Sequence, residues 1–161
     1  MSLGNRIILT PDRGYKMEGI INAGQTPKPG QIVQIDATQT AQGGRFVWKI
    51  YDRDADGDRP IGPFIVLCED MLQGKTMTDA YAAGERAFGF VPYAGCELNL
   101  LHLNVTGTAD DVALGDLLTV DDGTGKVQVS TSTPETEVAV ALEAETDPTA
   151  DRLLWCMWSG H

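Results

Sequence analysis

The chain has 161 residues, 42% of them apolar, and carries a formal charge of −11 from 12 Lys and Arg against 23 Asp and Glu. A chain of this length can bury a sizeable core without disulfides or a structural metal. The acidic balance argues against nucleic acid or an anionic membrane surface as partner, since both are bound by clustered Lys and Arg, and it suits a protein kept apart from its copies by like charge or one that meets a basic patch.

Apolar residues recur with period two, or in short β-branched runs bounded by Gly, Pro and Asp, which is the pattern of strands. In chain order the predicted strands are RIILT (6–10), YKMEGII (15–21), QIVQID (31–36), RFVWKIY (45–51), FIVLCED (64–70), RAFGFVP (86–92), ELNLLHLNV (97–105), DLLTVD (116–121), KVQVST (126–131), EVAVALEAE (137–145) and RLLWCMWS (152–159). Turn chemistry separates them: TPKPGQ (26–31) sets two prolines before a glycine, and DDGTGK (121–126) has the glycines of a hairpin. One short helix is predicted over TMTDAYAAG (76–84), with Thr78 as cap and Gly84 as stop. The pattern predicts an all-β fold, a β-barrel or β-sandwich (β-tulip-like), in one β-rich domain over 14–161, preceded by an N-terminal arm over 1–13. No internal repeat is visible. The arm holds an apolar strand-like segment, Leu3 to Thr10, closed by Pro11. Such a segment either joins its own sheet or adds to the edge of another protein's.

Cys68, Cys96 and Cys156 are odd in number, far apart and in apolar settings, so they read as buried reduced thiols. The leading residues contain a four-residue apolar core, short for a signal peptide, and no apolar run reaches membrane-span length. The expectation is an unexported protein made in a reducing cytoplasm.

The most chemically suggestive stretch is YDRDADGDRPIG (51–62), where Asp52, Asp54, Asp56 and Asp58 alternate. Counted from Asp52 it fits the first positions and the glycine of a calcium loop, but the twelfth position, which needs a bidentate carboxylate, is Pro63. An exposed, hydrated loop between strands is the expectation, with these four aspartates as the only metal candidate. LCEDMLQGKT (67–76) ends like a phosphate-binding loop, yet Glu69 stands where that loop requires glycine. With only His102 and His161, nucleophilic catalysis and zinc binding have little to draw on. No cofactor is expected. Trp155, Met157 and Trp158 close the chain on a segment apolar on both faces, which reads as core or subunit interface before ligand platform.

The run VLCEDMLQGKTMTDAYAAGERAFGFVPYAGCELNLL (66–101), with ALGDLLTVDDGTGKV (113–127) and VAVALEAE (138–145), resembles the small head proteins of tailed bacteriophages, across about the central two thirds of the chain. The resemblance implies a capsid decoration, or cement, protein: a β-rich, non-enzymatic homotrimer on the exterior of the expanded virion shell, bound to the major capsid protein. It also implies the arm, with Leu3, Arg6, Ile7, Ile8, Leu9 and Thr10, as the capsid-binding strand. The Asp-rich loop is outside the resembling motifs. A fibre or base module binding host-surface carbohydrate is the alternative, and a small trimeric β-barrel hydrolase a third.

Overall fold

The computed structural model describes residues 6–10, 12–52, 63–103, 111–131, 137–146, 150 and 152–159. The alternating segments form ten strands: β1 (Gly14–Ile21), β2 (Ile32–Ile35), β3 (Phe46–Ile50), β4 (Ile65–Leu67), β5 (Arg86–Pro92), β6 (Glu97–His102), β7 (Leu117–Val120), β8 (Val127–Val129), β9 (Glu137–Ala141) and β10 (Arg152–Trp158). The fold is all-β, and the strands close into two five-stranded barrels, β1-β3-β2-β4-β5 and β6-β8-β7-β9-β10. Among the described residues no helix is long and apolar enough to cross a membrane.

The two barrels are built on one ladder. β1 runs parallel to β3 and antiparallel to β5, as β6 runs parallel to β8 and antiparallel to β10. Register agrees as well as order: Val33 lies opposite Ile50 as Leu118 lies opposite Val129, and Met17 opposite Gly89 as Leu98 opposite Cys156. Even the flanking bonds recur. Gly30 N–H donates to Leu67 O and Leu67 N–H to Gln31 O, matched by Gly115 to Ala141 and Ala141 to Asp116, all four at 2.9 Å. The chain therefore contains an internal repeat that its sequence conceals, because a β-ladder demands the alternation and the turn glycine at each position rather than the same side chain.

The barrels are filled differently. In the first, the Trp48 indole occupies the bore, and a Cβ on Gly19 or Gly89 would come within 2.2 Å or 3.0 Å of it. These glycines provide room for one large ring. Tyr81 closes the same barrel, buried in its cluster with Ile21, Val33, Ile65 and Leu67. In the second barrel the ladder positions of Gly19, Trp48 and Gly89 are held by Leu100, Val127 and Cys156, three side chains of middling size, all wholly buried.

The junction is tight. Outward-facing Ile32, Val66 and Phe90 of the first barrel belong to one buried cluster with Leu98, Leu118, Leu154 and Trp158 of the second. The β7–β8 hairpin turn docks on β2, where Ile32 N–H donates to Gly125 O at 2.6 Å, and a Cβ on Gly125 would come within 2.3 Å of Ile32 O. Only glycine fits that approach.

The predicted helix over 76–84 does not form; the one helical turn among the described residues is a 3-10 turn at Met71–Gln73, capped by Asp70 and closed by Gly74 at φ 71°. Side chains and tertiary partners take the backbone groups a helix needs. Thr76 N–H and Oγ1 both donate to Asp79 Oδ2, Lys75 Nζ donates to Ala80 O, and Tyr81 N–H donates to Pro27 O. Burial of Tyr81 in the barrel outweighs the modest helix propensity of the alanines.

Candidate functional site

The arm is the first sequence-predicted site. Of its residues, Leu3 lies outside the described residues; Arg6 is exposed and Ile7 is completely buried. Residues 6–10 lie along the β6 edge that β8 leaves open, but the ladder is a single bridge, Ile8 to Leu98, rather than the five-residue strand expected. The reason is local. Leu9 and Thr10 N–H both point to Glu97 O, at 3.0 and 3.3 Å, while Glu97 N–H donates to Thr10 Oγ1 at 2.8 Å, so the pairing is consumed in one step.

The arm also bridges the barrels. Ile7 N–H donates to Glu69 Oε2 just beyond β4 at 3.1 Å, Asn99 N–H of β6 donates to Ile7 O at 2.7 Å, and Asn99 Nδ2 donates to Arg6 O at 2.7 Å. Between the two uses open to this segment, addition to its own sheet or to another's, residues 6–10 take the first. The Ile7 side chain joins the cluster shared by both barrels.

The Asp-rich loop is the second predicted site. Asp52 is exposed; its carbonyl accepts from Gln34 Nε2 at 3.1 Å and its carboxylate lies 3.9 Å from Lys49 Nζ. Asp54, Asp56 and Asp58 lie outside the described residues.

Sequence reading missed a buried charged group at one end of the second barrel. His102 ends β6, Arg152 begins β10 directly opposite it, and Glu145 reaches them from the chain after β9, anchored by its backbone bridge to Val112. Glu145 Oε1 lies 2.7 Å from Arg152 Nε and Oε2 lies 3.4 Å from His102 Nδ1, with His102 and Glu145 buried and Arg152 largely exposed. A carboxylate so placed meets the Arg152 guanidinium from the solvent side and lies beside the imidazole at the barrel end. The separation of these residues along the chain left no spacing signal, although a lone His inside an alternating strand whose alternate residues are Leu was a hint.

The three cysteines are free. Burial raises all three thiol pKa values above the ordinary 9.0, with neighbouring Glu69 adding to the effect at Cys68 and Glu143 at Cys156, while a hydrogen bond from Thr10 partly opposes it at Cys96. Cys96 and Cys156 are buried in the core and Cys68 is partly buried against it, and none has the lowered pKa of an activated thiol. The Gly74-Lys75-Thr76 piece is a turn whose lysine pairs with Glu85 at 3.1 Å.

Large apolar side chains also stand exposed on this acidic molecule. Met71 and Leu72, 74% and 89% exposed, protrude on the 3-10 turn; Leu114, Leu117 and Met157 are exposed on the second barrel; Tyr15 and Tyr93 form a tilted, exposed pair with ring centroids 6.2 Å apart. Set against protein-family models and against curated protein sequences, the chain matches none.

Proposed function

We propose that this chain is a structural protein of a tailed-phage head: a decoration protein that binds the outer surface of the expanded shell as a trimer and ties together neighbouring major capsid protein subunits. The observation that carries the reading is the distribution of apolar side chains. Both barrels are filled, by Trp48 and Tyr81 in one and by Leu98, Leu100 and Leu154 in the other, while large apolar side chains stand outside on turns and strand faces. Such a surface recognises other protein surfaces. The motifs that carry the phage-head resemblance fold as turns and ladders of the two barrels. Three copies held together multiply a weak attachment into a firm one through effective concentration, and the charge of −11 keeps a densely decorated particle from adhering to its neighbours.

Co-sedimentation with expanded empty heads tests this. The full chain pellets with heads to a saturable level, and one that stays in the supernatant at every concentration abandons the reading. The capsid-binding role of the arm needs two truncations, because removal of residues 1–10 also deletes the core residue Ile7. Loss of residues 1–5 alone leaves Ile7 in place and reports on binding.

The exposed Tyr15 and Tyr93 pair favours one second reading, a virion module that stacks host-surface carbohydrate on these rings. A glycan array in which the Tyr15→Ala, Tyr93→Ala double variant loses every hit supports it, and an array without hits removes it.

A further inference from the structure

In the first barrel Ile32, Val66 and Phe90 stand side by side across β2, β4 and β5, outward-facing yet wholly buried, because the second barrel covers them. The repeated ladder places Leu117, Val140 and Met157 side by side across β7, β9 and β10 in the corresponding row. There Leu117 is 43% and Met157 37% exposed. One structural unit thus has its strip covered by the next, whereas among the described residues the strip of the second unit stays partly exposed. In repeat architectures the uncovered end face is where a polar cap or a further unit belongs. This end face is apolar.

We infer that a second copy of this chain covers the strip, presenting its first half, in a head-to-tail contact. Charge selects the half. Residues 93–161 hold 12 Asp and Glu against only Lys126 and Arg152, whereas residues 14–92 hold 10 against 8 Lys and Arg. Two strips facing each other would bring the two strongly acidic halves together, and like-charge juxtaposition of that kind disfavours a twofold contact. A contact between unlike surfaces repeats from copy to copy until it closes into a ring, and the size of that ring, three, rests on the trimeric reading above.

Sedimentation velocity on the full chain over a dilution series provides the test, with Leu117→Asp and Met157→Asp as strip variants and Leu72→Asp, exposed but away from the strip, as control. The wild type and the control pass from monomer to one closed oligomer of defined mass as concentration rises. The strip variants sediment as monomers with unchanged near-ultraviolet circular dichroism. Zero-length crosslinking of mixed isotope-labelled protein joins lysines of residues 14–92 in one copy to carboxylates of residues 93–161 in another. A monomeric wild type, strip variants that stay assembled, or intermolecular crosslinks through Lys126 alone overturn the inference. The two proposals fail separately: strip variants that stay assembled and bind heads sink the interface but not the head function, and strip-dependent assembly that ignores heads does the reverse.

Discussion

The two barrels share every strand pairing and differ in almost everything the pairing leaves free. The first is filled by one indole over two glycines and has its outward apolar row sealed; the second is filled by three mid-sized side chains and leaves the same row open. The first half is nearly balanced in charge and the second carries most of the excess acid. The ladder fixes where side chains point, and the choice of side chain decides whether a face becomes core, junction or docking surface.

The comparison breaks most sharply at the filling. Trp48→Ala leaves the first bore empty and costs about 3–5 kcal/mol by the measure of large-to-small core changes. A Cβ on Gly89 would also meet Ile65 Cγ2 at 2.4 Å, and the ladder counterpart of Ile65 is Ala139. Transplanting the second barrel's set, Trp48→Val with Gly19→Leu, Gly89→Cys and Ile65→Ala, costs less than Trp48→Ala alone if the ladders are equivalent; urea unfolding of both variants checks this, and a combined variant no more stable than Trp48→Ala denies the equivalence. Next is the strap between the barrels. Ile7→Ala removes a fully buried side chain from the shared cluster, at about 2–4 kcal/mol, and proteolysis should open both halves together.

A smaller effect sits at the end of the second barrel. Arg152→Ala leaves buried Glu145 without its nearest cation and lowers stability by about 1–3 kcal/mol. The ladder position of Arg152 in the first barrel is Glu85, which is partly exposed and pairs with Lys75 at 3.1 Å, so Glu85→Ala costs less.

The smallest effect is with pH. Burial holds the Cys68 and Cys156 thiols protonated in the folded chain, whereas the unfolded chain releases those protons above the ordinary 9.0. The folded state then binds more protons, so stability is whole below pH 9.0 and declines as pH rises beyond it. Urea midpoints measured from neutral to alkaline pH should show the decline, with a shallower slope in Cys156→Ala.

Ten of the eleven predicted strands were legible because alternation survives wherever one face meets a core. The eleventh, residues 6–10, shortened to one bridge because Thr10 uses its hydroxyl on the Glu97 amide, a detail of register that no local pattern carries. The helix over 76–84 failed for the same reason in reverse: Tyr81 found its partners on Pro27 and Cys68, both distant in sequence. Gly19 and Gly89 carry no local signal for their place; Trp48 accounts for the first, and Ile65 with Trp48 for the second. The repeat was hidden since Gly30 and Gly115 or Asp36 and Asp121 are isolated matches among positions that keep only their polarity. The open row on the second barrel could not be seen at all, because Leu117, Val140 and Met157 meet only through the ladder.

Hydroxyl-radical footprinting of the full chain across a dilution series tests the asymmetry between the two rows most directly, since it reads Met157 on the open row and Met71, 74% exposed on its turn, in the same molecule. Met157 should become protected from oxidation as concentration rises while Met71 oxidises at a constant rate. Equal, concentration-independent oxidation of both methionines would contradict the idea that another copy seals what the chain leaves bare.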